Sequence, residues 1–195
     1  MIRFRNLAKK LVLLTIGLAV GLVVAEICLR VLGISYPLPY IPDPHCGTRL
    51  QPGFQCWWRK EGNAFIRINA QGFRHGKRTR KKPENGFRIA VLGDSFIEAF
   101  QVPEEQTFCA VLERELADCP PLAGRTVEVL NFGVSGYGTA QELQMLRRYV
   151  WPYEPDVILL AFFAGNDVRN NHADLEPYPV RPFYQLVDGN LELDR

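Results

Sequence analysis

Ser95, in Val91-Leu92-Gly93-Asp94-Ser95-Phe96, is the residue of this sequence best placed to act as a nucleophile. The run Phe87 to Leu92 is apolar and β-rich, and Phe96-Ile97-Glu98-Ala99 reads as a helix start, so Ser95 falls where a buried strand gives way to a helix. Its hydroxyl then stands at the carboxyl edge of a parallel sheet, where α/β folds bind ligands. Its N–H becomes one of the free donors of a helix start, able to face an oxyanion. The plainer reading is a Gly-Asp-Ser turn in which Ser95 only caps the helix. Acyl transfer needs a nucleophile, a base and donors aimed at the tetrahedral oxyanion. Gly136, in Gly133-Val134-Ser135-Gly136-Tyr137-Gly138, and Asn166, in Ala164-Gly165-Asn166-Asp167, are the further candidate donors. Glycine suits the second turn because a backbone amide reaches a substrate only where no side chain intervenes.

Three predicted strands must bring these turns together. Phe87 to Leu92 is the first, Val127 to Phe132 the second and Asp156 to Phe163 the third, the last apolar on both faces as a central parallel strand should be. Phe108, Val111, Leu112 and Leu116 recur at helical spacing, and Pro120-Pro121 closes that helix. Thr139-Ala140-Gln141-Glu142 reads as a capping box that opens a helix to Val150, stopped by Trp151-Pro152. Phe183 to Val187 and Leu191 to Leu193, around Asp188-Gly189-Asn190, read as a hairpin. Each of the three strands ends in a polar or glycine-bearing turn on one edge of one sheet.

Taken together, Gly93-Asp94-Ser95, Gly136 within Asn131-Phe132-Gly133-Val134-Ser135-Gly136-Tyr137-Gly138, and Gly165-Asn166-Asp167 resemble the first three conserved blocks of the SGNH (GDSL-type) hydrolase superfamily. The resemblance covers roughly Phe87 to Asp167. It implies a flavodoxin-like three-layer α/β/α fold, with Ser95 as nucleophile and Ser95, Gly136 and Asn166 as oxyanion donors. That superfamily carries an Asp and its base His three residues apart in a fourth block, and no Asp-x-x-His occurs in this sequence. Of the three histidines, His45 and His75 precede the nucleophile and read as structural or solvated. His172 follows Asn166 on the correct rim. A five-stranded sheet is implied, whereas three parallel strands precede Pro177. The expectation is the amino-terminal part of a longer, membrane-anchored hydrolase with an incomplete parallel sheet, nearly inactive alone because the base is missing. The alternative is a noncatalytic SGNH-like domain that binds a glycan or partner at the same rim.

At 195 residues, 47% apolar and 23% charged, the chain is long enough for one ordinary domain and something extra. Arg3, Arg5, Lys9 and Lys10 stand in the first ten residues without an acid, so the net +2 leaves the rest slightly acidic, which excludes a nucleic-acid binder by bulk charge. Leu11 to Ile34 is apolar apart from Thr15, Glu26 and Arg30, and at 1.5 Å per residue it would span about 36 Å, against about 30 Å of hydrocarbon. Glu26 and Arg30 would pair one turn apart. Residues 1–35 therefore read as a cytoplasmic basic start and an uncleaved transmembrane anchor through 11–34, with the rest exported; the rival reading is a cleaved signal peptide, for which the end of the apolar run offers no small-x-small site. Residues 36–86 read as a connection and a small β element. Tyr36 to Pro44, with four prolines, is a stiff extended link; the alternation Ala64 to Asn69 with Trp57 and Trp58 nearby supplies the β element. Arg74 to Lys82, six basic residues in nine, reads as a solvated loop. Residues 87–195 hold the hydrolase-like part. Cys46 with Cys56 and Cys109 with Cys119 could each close a short loop, or all remain free thiols. No cofactor or metal is expected, since His45 beside Cys46 lacks a second paired ligand set. The expected partners are a small-molecule or glycan ester and the membrane; the residues leave the oligomeric state unread.

Overall fold

The computed structural model describes residues 2–34, 36–76, 78–176 and 181–194. These fall into two units, Met1–Pro37 and Leu38–Arg195. The stretch from Pro177 to Val180, the point past which no further strand of the sheet is predicted, lies outside the described residues, as does Lys77 of the basic run.

The first unit is one helix, α1 (Ile2–Val31). Within it Asn6–Val31, whose most apolar 18-residue stretch has a mean hydropathy of 2.5, is long and apolar enough to cross a membrane by length and composition. The predicted pair forms, with Arg30 Nε 2.7 Å from Glu26 Oε1. Thr15 donates its hydroxyl to the Leu11 carbonyl at 2.9 Å, which keeps its polarity inside the helix. Gly33, at φ 64°, ends the helix: its N–H bonds the Arg30 carbonyl in a left-handed conformation that glycine adopts without strain.

The second unit is mixed α/β. Its strands β1 (Tyr40–Asp43) and β2 (Gly47–Leu50) form one hairpin, and β3 (Gln55–Trp58) and β4 (Ala64–Arg67) another. The predicted link Tyr36 to Pro44 is thus a strand in its second half. Pro42 is tolerated because β1 pairs on one side only, so its missing N–H leaves no ladder bond unmade.

The parallel sheet holds β5 (Gly86–Gly93), β6 (Thr126–Asn131) and β7 (Val157–Ala161) in the order β6-β5-β7. All three predicted strands are therefore present, each ending within two residues of its predicted limit. Strand β5 sits in the middle and is buried almost throughout, as an apolar run flanked on both sides must be. One face of the sheet, with Ala90, Leu92, Leu130 and Phe132, joins Leu50, Ile66, Ile68 and Phe73 from the hairpin segment in a single core. The other, with Ile89, Val91 and Val129, packs Leu112 and Leu116 of helix α3 (Phe108–Ala117). Strand β7 pairs with β5 alone among the described residues, and Leu160 and Phe162 beside that open edge are 51% and 53% exposed. The carboxy-terminal hairpin is β8 (Tyr184–Val187) with β9 (Asn190–Leu193), turned by Asp188 and Gly189 at φ 47° and 79° as a tight turn of this kind requires.

Four local expectations are corrected. The helix after the glycine-rich turn is capped by Gly138, not Thr139: Gln141 Oε1 accepts the Gly138 N–H at 3.2 Å, which makes only half a capping box because glycine has no side-chain oxygen to return. That helix, α4 (Thr139–Met145), passes into a π-helical turn over Leu146–Val150, and Trp151–Tyr153 continues as a 3₁₀ turn instead of stopping at Trp151. The basic run is no solvated loop. Arg74, 2% exposed, donates to the Glu98 carbonyl at 2.7 Å and also bonds those of Ala99 and Val102, while Arg78 pairs with Glu113 at 2.6 Å and Lys82 with Asp156 at 2.8 Å. All five cysteines are free thiols, Cys46 and Cys109 buried among apolar neighbours, so neither short-loop bridge is formed.

Candidate active site

The turn after β5 opens helix α2 (Ser95–Glu98), a single turn whose first residue is Ser95. Asp94 is its cap: Oδ1 accepts the Phe96 N–H at 2.9 Å, and the side chain is 1% exposed. Capping therefore falls to Asp94 and leaves Ser95 free of it. The Ser95 hydroxyl is half-buried and has no hydrogen-bond partner among the described residues. At the first helical position its N–H has no intrahelical acceptor either.

The second turn follows β6. It lies close under α2 because Gly133 has no side chain: a Cβ there would stand 2.5 Å from the Glu98 nitrogen. Asn131 locks the approach, donating from Nδ2 to the Ile97 carbonyl at 2.7 Å and accepting the Gly133 N–H at 2.9 Å. Gly136 itself has φ +79°, a left-handed conformation that disfavours any side chain. Arg181, paired with Glu176 at 3.3 Å, covers the face of Gly136 where a side chain would project.

The third turn follows β7 and leads into helix α5 (Asp167–Asn170), with Asn166 at its cap position. Asn166 donates one side-chain N–H to Asp94 Oδ2 at 2.6 Å, and its side-chain oxygen Oδ1 is buried without a partner among the described residues. The amide keeps its second N–H. Asn170 donates to the Gly136 carbonyl at 3.4 Å, so the third turn also bonds the second. Ser95, Gly136 and Asn166 thus lie in three turns that hydrogen-bond or pack against one another at the carboxyl edge of the sheet.

The histidines divide as their surroundings dictate. His75 is 6% exposed, stacked on Phe73 and edge-on to Phe132, and burial pushes its pKa down to about 4. His45 packs by its carbonyl, which accepts the Tyr184 hydroxyl at 2.8 Å. His172 is exposed, accepting the Asp174 N–H at 3.3 Å through Nδ1. None of the three is hydrogen-bonded to Ser95.

Two buried acids complete the site and were not legible as part of it. Glu98 lies 2% exposed beneath the second turn: Oε1 accepts the Ser135 N–H at 3.0 Å, and Oε2 accepts the Tyr40 hydroxyl at 3.0 Å and the Ser135 hydroxyl. Burial raises its pKa to about 7 against the pull of those donors. Ser95-Phe96-Ile97-Glu98 has the spacing of a local capping box, which hides this long-range role. Glu142, on α4, is 1% exposed with neither carboxylate oxygen bonded among the described residues. Burial, then the charges of Asp167 and Asp94, push it up to about 8. No group of three or more metal-ligating side chains occurs among the described residues. A separate cavity of about 700 Å³ is lined by Trp57, Phe65, Arg67, Arg78 and Glu104, and includes none of the three candidate residues.

An arylesterase of Vibrio mimicus is 29% identical to this chain over 82 residues, which cover 42% of this chain and 39% of the arylesterase. The chain is a distant, partial relative of an esterase. The match spans less than half the length of that relative. No protein-family profile matches the chain.

Proposed function

We propose that the chain carries the nucleophile and oxyanion donors of an SGNH-type serine ester hydrolase, with Ser95 attacking the ester carbonyl. The observation behind this reading is the bond from Asn166 to Asp94, which ties the amide of the third turn to the residue beside the free hydroxyl of the first. In this mechanism Ser95 Oγ bonds the carbonyl carbon as its proton passes to solvent and the C=O electron pair moves to oxygen. That oxyanion takes the N–H groups of Ser95 and Gly136 and the second N–H of Asn166; the C–O ester bond then breaks and the alcohol leaves with a proton from solvent, and water cleaves the acyl-serine to free the acid. Such donors supply a large share of acyl-transfer catalysis, each worth about 10² to 10³ in rate. The likeness to an arylesterase supports ester chemistry. A flavodoxin-like three-layer sheet is supported by the order β6-β5-β7, the first three places of a doubly wound sheet whose further strands would pair along β7. The anchor reading of α1 puts the domain outside the cytoplasm, with an O-acyl group of an envelope glycan or lipid as the substrate class.

Among the described residues no histidine is hydrogen-bonded to Ser95 as a base would be. With His75 buried and His172 turned to Asp174, turnover by this chain falls to what positioning and the oxyanion donors supply, about 10³ to 10⁴ over water. The same observation favours the second reading, a rim that binds a glycan or partner without turnover. Hydrolysis of p-nitrophenyl acetate by the detergent-solubilised full chain tests the two. The esterase reading predicts a protein-dependent rate that Ser95→Ala abolishes. Equal rates for the two proteins would remove Ser95 from the chemistry.

A further inference from the structure

We infer that Glu98 is a positioning residue that holds the Ser135–Gly136 peptide in register with the serine helix. This deepens the esterase reading and rests on it for the role of Gly136. Glu98 ends the same single turn of helix that Ser95 begins. Its carboxylate grips Ser135 twice, accepting the backbone N–H on one oxygen and the hydroxyl on the other, so both the backbone and the side-chain rotamer of that residue are fixed. The next peptide N–H belongs to Gly136, and rotation about the Ser135 Cα–C bond, in the residue these bonds hold, sets its direction; Gly136 itself lies at φ +79°. Tyr40, from β1, fixes the second carboxylate oxygen at 3.0 Å. Arg74 bonds the Glu98 carbonyl at 2.7 Å and so holds the end of the helix. A buried carboxyl group is retained against its desolvation only when such donors surround it, and three hydrogen bonds fix its geometry closely. The Glu98 carboxylate makes no hydrogen bond to Ser95 among the described residues; it acts through Ser135.

The test uses the full chain in detergent, labelled by a fluorophosphonate. Ser95 Oγ forms a bond to phosphorus, the P–F bond breaks, fluoride leaves and the serine proton passes to solvent. Removing a donor from its place costs about 10² or more in such a rate, and loosening it costs less. Glu98→Ala should slow Ser95 labelling at least tenfold. Glu98→Gln, which still accepts the Ser135 N–H, should stay within about threefold of wild type. Ser135→Ala, which keeps the fold and removes one grip, should lie between them and decides the matter where Glu98→Ala fails to fold. Labelling of folded Glu98→Ala, or of Ser135→Ala, at the wild-type rate would overturn the inference. Where wild type itself does not label, the esterase reading fails separately. Amide exchange at Ser135 and Gly136 then decides the clamp: faster exchange in Ser135→Ala sustains it, and unchanged exchange overturns it.

Discussion

Asn166 and Asp94, 72 residues apart in sequence, are joined side chain to side chain by a hydrogen bond of 2.6 Å. Asp94 spends its other oxygen on the Phe96 N–H, so one carboxylate caps the serine helix and orients the amide of the third turn. Asn166→Ala removes a candidate oxyanion donor and one of the two Asp94 bonds. The expected outcome is a drop of about 10² to 10³ in Ser95 reactivity with a stability loss of about 1 kcal/mol, read by labelling kinetics and thermal unfolding. A large stability loss with unchanged reactivity of the folded fraction would make Asn166 structural only.

Gly133 allows the second turn to lie against α2. A methyl group there meets the Glu98 nitrogen at 2.5 Å and the Ile97 Cβ at 2.7 Å, and that backbone cannot yield as a flexible side chain would. Gly133→Ala is expected to cost about 1 to 3 kcal/mol. Gly53→Ala is the control, at φ +72° but with nothing within 4 Å of a Cβ, so it carries backbone strain without the clash. Thermal unfolding compares them, and equal losses would contradict the contact argument.

His75 is held neutral by burial, its pKa down at about 4 against 6.5 unfolded. Between those values the unfolded chain binds a proton that the folded one refuses, so this residue removes stability as pH falls from 6.5 to about 4 and no more below that. The effect is on the order of 3 kcal/mol. The gap in melting temperature between wild type and His75→Gln should shift against wild type across that window. A gap independent of pH would show that His75 does not titrate this way.

Glu142 works with the opposite sign. Its folded pKa is raised to about 8 from 4.5, so the favourable difference is fully present below 4.5 and is lost as pH rises through about 8. Glu142→Gln should therefore gain stability over wild type progressively between pH 5 and pH 8.5, by several degrees in melting temperature. Differential scanning at several pH values reads this, and a constant offset would contradict it.

The strands were legible because period and composition report burial directly: Phe87 to Leu92 reads as a strand and is one, and Val127 to Phe132 reads as a strand that ends one residue earlier, at Asn131. The candidate turns were legible because glycine and serine at strand ends carry a conformational meaning of their own. The tertiary partners were not. Nothing local to Asp94 says that it caps the helix in place of Ser95, or that its second oxygen receives Asn166. Glu98 matches a local capping pattern, yet its carboxylate crosses to a residue 37 positions on. Arg74 and His75 lie in a run of charge that reads as solvated, and burial there is decided by carbonyls and aromatic rings from elsewhere in the chain. The strand Tyr40–Asp43 was hidden by Pro42 and the prolines that flank it, since an edge position removes the penalty that proline otherwise signals.

Ester chemistry at this rim depends on the character of one hydroxyl, that of Ser95. Intact-mass and peptide mapping of the folded full chain after exposure to a fluorophosphonate measures it most directly. The account predicts a single phosphonyl adduct on Ser95, absent from Ser95→Ala and from protein denatured before exposure. No adduct on folded protein, or an adduct that forms equally fast after denaturation, would contradict it.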